Sequence, residues 1–289
     1  MSRIIAVVLI FLAVLIGIGI ILPAISKARE EAEFRRCQNH LRQIGSIGLF
    51  HSSLPGQPIP LEARSYFPAG TVVNAELTPE QRLSWYLLTL SAIDQGSPEP
   101  GPAKKRKATP FIDLLKDIDI NKTWDAESNQ QLGRTRLVVA LCPGQRLDGG
   151  LDQPAMTNYF GNGGIGLDTP SLTIEEAARN AGVFRYNTPT PLETIRDGDG
   201  LSNTISLVES ARDLGPWLRG GPATIRCLDP QLPFALGQGQ YYSGCHRGRG
   251  NFAFADGSVR VMTDTTHPSL FRALLTILGG EKEVDFEGE

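Results

Sequence analysis

The chain is 289 residues long and carries 28 Lys and Arg against 31 Asp and Glu, a formal net charge of −3. That balance leaves no basic footprint and excludes sequence-independent nucleic-acid binding, while a hydrophobic share of 41% excludes wholesale disorder. The 31 glycines and 20 prolines predict many turns and few long regular elements.

The first predicted element is the longest. Ile4 to Leu22 is an unbroken run of Ala, Gly, large aliphatic residues and Phe11. At about 1.5 Å per helical residue it spans roughly 28 Å, the thickness of a bilayer's hydrocarbon core. Residues 1–25 are therefore expected to form a single membrane helix. A cleaved secretory signal is the competing reading, but its apolar region usually covers about 7–15 residues and ends at a small-residue site, whereas this run ends at Leu22-Pro23 with helical sequence following. Lys27, Arg29, Arg35 and Arg36 follow the span and, counted alone, favour a cytoplasmic C-terminal portion. Cys37, Cys142, Cys227 and Cys245 are even in number and lack C-x-x-C spacing, which leaves disulfides and four buried thiols both open.

Ala24 to Phe50 continues as an amphipathic helix, since Phe34, Cys37, Leu41, Ile44 and Gly48 follow one another at spacings of 3, 4, 3 and 4. Pro23 stands at the junction. Residues 26–50 are thus expected to be a spine that prolongs the membrane helix, kinked at Pro23, and residues 51–289 an α+β head.

Within the head, loops are expected around Leu54-Pro55-Gly56. Thr78 and Gln81, with Pro79 at the first helical position, then predict a capped helix burying Leu83, Tyr86, Leu87 and Leu90. Residues 94–103 read as a linker and 104–107 (KKRK) as a solvated basic tetrad. Leu137 to Leu141 predicts a buried strand ending at Cys142-Pro143. Thr173 and Glu176 open a short helix that Gly182 closes, and Ile205 to Val208 predicts a strand. NFAFA and SVRVM alternate on either side of Asp256-Gly257, a dipeptide suited to two-residue type I′ turns, so Asn251 to Met262 predicts a hairpin. Pro268 to Leu278 predicts a last helix ended by Gly279-Gly280. The expected fold class is α+β: a long N-terminal membrane-plus-spine helix packed on a mainly antiparallel sheet, with short peripheral helices.

Catalytic motifs are mostly missing from the sequence, which holds no H-E-x-x-H, G-x-S-x-G or Walker loop. Gly161 to Gly166 satisfies G-x-G-x-x-G, but Leu167-Asp168-Thr169-Pro170 follows where a helix should start, so a turn-rich loop is expected rather than a dinucleotide site. His40, His51, His246 and His267 show no metal-ligand spacing. Cys245-His246 with Cys227 comes nearest to a zinc set and lacks its remaining ligands. Asp197, Asp199 and Asn203 put hard oxygen atoms in a Gly-rich loop and are candidate calcium ligands, although no closing Glu follows at the twelfth place. Their alternative role is a turn before the next strand. His246 and Asp256 would need a nucleophile or an activated water to act as an acid–base pair. A structural role fits more simply, with Asp256 and Gly257 forming the turn at positive φ and His246 bonding across the sheet.

The stretch KAREEAEFRRCQNHLRQIG, then TNYFGNGG (Thr157 to Gly164), IRDGDGLSNTISLVES (Ile195 to Ser210), and His246 followed after nine residues by Asp256-Gly257 resemble the prepilin-like H-x9-DG family of planctomycete type. That resemblance implies kinship at the N-terminus with type IV pilins and type II secretion pseudopilins, whose first helix anchors the subunit. This chain departs from their pattern in having no Gly before the apolar run and no Glu within it, so the resemblance implies neither leader cleavage nor ordinary filament assembly. It also implies that the head lies outside the cytoplasm, against the Lys/Arg count. The function expected is a non-enzymatic, single-pass envelope protein of structural or interaction role, with the membrane and other envelope or pilin-like proteins as partners, no nucleic acid and, calcium aside, no cofactor. A solute- or glycan-binding module and a divergent hydrolase are the alternatives.

Overall fold

The computed structural model describes residues 2–50, 66–93, 115, 117–145, 152–231, 236, 242, 244–246 and 248–280. The expected loop at Leu54-Pro55-Gly56, the linker 94–103 and the tetrad 104–107 lie outside them.

Helix α1 (Ser2–Phe50) runs continuously for 49 residues with Pro23 inside it. Its second half carries the expected stripe: Phe34, Cys37, Leu41 and Ile44 are only 0–3% exposed. Gly45 lies against the sheet, where a Cβ would stand 3.2 Å from Ala253 Cβ, so the missing side chain lets helix and sheet approach closely. Along the first half the described side chains are uncovered, with Ile4, Val7, Phe11, Ile20 and Leu22 between 61% and 70% exposed. Among the described residues no helix is long and apolar enough to cross a membrane.

The head is α+β. Two small antiparallel ladders join β1 (Tyr66–Phe67) to β4 (Thr190–Pro191) and β2 (Met156–Thr157) to β6 (Gly215–Pro216). The main sheet has five strands in the order β7-β3-β5-β8-β9. These are β3 (Tyr159–Ile165), β5 (Ile205–Glu209), β7 (Ile225–Leu228), β8 (Arg249–Phe254) and β9 (Val259–Thr263). The sheet is mixed, because β3 and β7 pair in parallel while the other pairs are antiparallel. Successive side chains alternate between two cores. Tyr159, Leu207 and Ala253 pack with Leu41 and Ile44 of α1 and with helix α2 (Trp85–Ile93). Phe160, Val208, Phe252 and Phe254 pack on the opposite face with Phe271 and Leu274. Smaller helices α3 (Glu127–Arg134), α4 (Ile174–Ala177) and α5 (Leu192–Asp197) precede α6 (Pro268–Leu274), which covers that second face.

Several expectations hold. Thr173 and Glu176 form the reciprocal capping box of α4, with Glu176 N donating to Thr173 Oγ1 at 3.2 Å and Thr173 N to Glu176 Oε2 at 2.9 Å. Others are corrected. Thr78 N does donate to Gln81 Oε1 at 3.0 Å, but only one turn forms there, because Leu83 and Ser84 are drawn into bridges with Arg219 and Thr71. The helix starts at Trp85, and the four predicted apolar residues are nonetheless buried. Leu137 to Leu141 is a 3₁₀ turn over Val138–Ala140 rather than a strand: Val138 is 71% exposed, so the run has no second core to face. Gly161 to Gly166 runs through β3 and just beyond it, and a Cβ on Gly161 would stand 2.7 Å from the Phe184 ring. Helix α6 ends at Leu274, four residues earlier than expected.

The hairpin forms with a different turn. Gly257 N donates to Phe254 O at 2.9 Å and Phe254 N to Ser258 O at 2.8 Å, and Gly257 alone has positive φ, at 84°. This is a type I turn closed by a glycine bulge. The longer loop frees Ala255 N and Asp256 N to donate to Thr204 O and Leu201 O at 2.8 and 3.1 Å, which ties the tip to the approach of β5.

Candidate functional site

Four chemically versatile side chains meet where the spine lies on the sheet. Cys37 comes from the buried stripe of α1, one turn after Phe34. Cys142 follows the 3₁₀ turn and is held by its own N–H, which donates to Asn158 Oδ1 at 2.9 Å. Glu209 ends β5, and His246 stands ahead of β8. His246 Nε2 lies 3.3 Å from Cys37 Sγ and 3.4 Å from Cys142 Sγ. One ligand atom from each of Cys37, Cys142, Glu209 and His246 falls within 4.8 Å of all the others. All four residues are 0–2% exposed.

The carboxylate of Glu209 is held at one end only. Oε2 accepts from Asn251 N at 3.0 Å and Asn251 Nδ2 at 2.9 Å, whereas Oε1 is buried with no partner. Gly244 makes the room for it: a Cβ there would stand 2.6 Å from Oε2 and 2.9 Å from Oε1. Phe34 meets the His246 ring edge-on at 5.0 Å between centroids, and the Arg249 guanidinium lies over the Phe34 ring at 3.7 Å while pairing with Glu31 at 2.8 Å.

The electrostatics follow from burial and crowding. Burial raises Glu209 to about 8, with the charge of Cys142 adding to the effect and the Asn251 bonds opposing it. Hydrogen bonds from Cys245 and Cys37 make Cys142 the sulfur that ionises first. The thiols of Cys37 and Cys245 are raised through those same contacts, and burial adds to it. For His246 burial opposes the charged ring, but the contact with Cys142 and the charges of Cys142 and Glu209 outweigh it and the net shift is upward. Tyr159 faces the same cluster, and its phenol is raised by burial and then by the Glu209 charge.

The expected site residues are distributed otherwise. His246 and Asp256 are not brought together. Asp256 sits at the hairpin tip, accepting from Ser258 N at 2.8 Å and standing 4.0 Å from Arg260, while His246 lies beyond the other end of β8. Asp256 also lacks the positive φ expected of it; only Gly257 has it. Cys227 is remote from His246, being packed against Gly163, and burial pushes its thiol up to about 12. Cys245 donates to Gln145 Oε1 at 3.0 Å. All four cysteines are free thiols. In the calcium candidate, Asp199 Oδ2 accepts from Gly279 N at 2.8 Å and Thr276 Oγ1 at 3.2 Å, and Oδ1 from Gly280 N at 3.0 Å. Asn203 Nδ2 donates to the Asp199 carbonyl at 3.1 Å, and Asp197 is exposed. These donors make the loop a brace for the segment after α6.

No sequence spacing marks Cys37, Cys142 and Glu209 as ligands. The available signal was an acid closing the apolar strand of ISLVES, where burial and charge conflict.

A family model describing a protein of unknown function, DUF1559, matches residues 26–227. The chain belongs to the DUF1559 family. Neither the curated proteins nor the solved structures contain a match. The DUF1559 match begins where the spine half of α1 begins and includes Cys37, Cys142 and Glu209; His246 and the Asp256-Gly257 turn lie beyond its end.

Proposed function

We propose that this DUF1559 protein is a membrane-anchored, pilin-like envelope protein whose head lies outside the cytoplasm and contacts other envelope proteins, in a structural or interaction role. The observation that carries this reading is the unequal covering of α1. A helix of 49 residues is about 74 Å long, and the head buries only its second half. The first half holds the apolar run Ile4 to Leu22 with its described side chains uncovered. Taking each large aliphatic side chain out of water is worth about 1.5–3 kcal/mol, so this half calls for lipid. Positions 6, 8, 10, 13 and 14 lie outside the described side chains, so the described part alone falls short of a span, while the sequence run is long enough for one. The closed cluster at Glu209, shut off from solvent, suits holding parts together better than turning over a substrate.

Membrane fractionation tests this. The full chain should stay in the pellet through a carbonate wash, and a variant lacking residues 2–22 should move to the supernatant. Protease added to spheroplasts, whose cytoplasmic membrane is intact, should degrade the head. A full-length chain released by carbonate would overturn the anchor, and a head digested only after the spheroplasts are lysed would overturn its placement.

A further inference from the structure

We propose that Cys37, Cys142, His246 and Glu209 are the four ligands of a structural zinc ion that fastens the spine helix to the sheet. This goes beyond the anchored reading and does not depend on it.

The donor set suits the ion. Zinc takes thiolate sulfur, imidazole nitrogen and carboxylate oxygen, four at a time and tetrahedrally, in structural sites without an open position. Sulfur and nitrogen ligands bonded at about 2.3 and 2.0–2.1 Å stand roughly 3.5 Å apart around such an ion. The two sulfur-to-Nε2 distances of 3.3 and 3.4 Å come close to that, and the whole ligand set lies within 4.8 Å.

The second, independent observation is Glu209 Oε1. A buried carboxylate oxygen without a donor is costly, and the carboxylate that carries it places an oxygen within 4.8 Å of the ligand atoms of Cys37, Cys142 and His246. The rest of the carboxylate is oriented as an outer shell orients a ligand, with both Asn251 bonds on the other oxygen. Gly244 keeps clear the space that the carboxylate fills. A disulfide between Cys37 and Cys142 would leave Oε1 just as unpartnered and bring no positive charge to the buried carboxylate, whereas a divalent cation answers both needs. On binding, zinc displaces the remaining thiol and carboxyl protons to solvent, and two thiolates, one carboxylate and neutral His246 leave a net charge of −1. Arg249, over the Phe34 ring that meets His246 edge-on, is a cation beside the site, shared with Glu31.

The role follows from where the ligands come from. They belong to α1, the segment after the 3₁₀ turn, the end of β5 and the approach to β8, so one ion joins four chain segments at a single point.

The test uses the full chain, purified in detergent under reducing conditions, stripped with a chelator and reloaded with zinc. Equimolar zinc is expected to be retained, and Cys227→Ser to retain it equally. Asn251→Ala should weaken zinc about 10- to 100-fold in chelator competition, the loss usual for an outer-shell partner. Cys142→Ser and Glu209→Gln should each weaken it, and Cys142→Ser by more than Asn251→Ala. Because variants can also unfold, cobalt added to the unaltered chain gives a second readout: tetrahedral ligand-field bands together with thiolate-to-cobalt charge transfer. The proposal is overturned if the reduced, unaltered chain takes up neither zinc stoichiometrically nor cobalt tetrahedrally. It is also overturned if Cys227→Ser loses zinc as Cys142→Ser does, or if the chain from cells carries Cys37 and Cys142 as a disulfide and no zinc.

Discussion

Asp199 and Glu209 flank the same strand region and meet opposite conditions. Asp199 stands in a Gly-rich turn where Gly279 N, Gly280 N and Thr276 Oγ1 donate to both of its oxygens. Glu209 is fully buried at the end of β5 and finds donors for one oxygen only. The difference lies in what the chain brings alongside. Past α6 the backbone offers its own unpaired N–H groups, with Gly280 turning at φ 73°; around Glu209 the neighbours are two thiols, an imidazole and a glycine. An anion with both oxygens claimed ties segments together. One with an oxygen left over acts as a ligand or keeps its proton.

The largest expected effect breaks this symmetry by pH. In the metal-stripped chain, the folded-state pKa of Glu209 is about 8 against 4.5 for the free group. A raised carboxylate binds its proton more tightly when folded, so its contribution is intact below pH 4.5 and is lost as pH climbs towards 8. Denaturant titrations in chelator at pH 5 and pH 8.5 should differ by an amount on the order of 4 kcal/mol from this group. Glu209→Gln should flatten that slope; an unchanged slope would show that Glu209 is ionised in the folded chain. At Asp199 the comparison predicts a loss of about 2–3 kcal/mol for Asp199→Ala, read as a lower melting temperature, because three donors go unanswered.

The hairpin turn gives smaller effects and sharpens the distinction between brace and ligand. Gly257→Ala should cost about 1–2 kcal/mol, because a side chain is strained at φ 84°. Asp256→Ala should cost about 1 kcal/mol or less, since it removes one exposed bond to Ser258 N. Neither should change zinc retention, and a turn variant that lost zinc would place the tip within the metal site. Least of all, Asp197→Ala should stay within about 0.5 kcal/mol, since Asp197 is exposed. A calcium-dependent rise in melting temperature abolished by Asp197→Ala would place calcium at this loop.

What the residues determined by themselves was local. The stripe of α1, the capping box of Thr173 and Glu176, the alternation through β8 and the apolar run at the start each depend on neighbours within a few positions, and periodicity reports such neighbours directly. Where the local signals competed with pairing, pairing won: Leu83 and Ser84 joined bridges in place of an early helical turn, and the hairpin tip lengthened to reach Thr204 and Leu201. Only the tertiary structure decided the site. Cys37 and His246 lie 209 positions apart, and no spacing rule connects them. They meet because α1 is pressed onto β8 through Gly45 and Ala253, and because the order β7-β3-β5-β8-β9 places the end of β5 beside the start of β8. The same packing buries Glu209 beyond the reach of water, so a residue that reads as an ordinary strand terminus becomes a carboxylate with one unanswered oxygen.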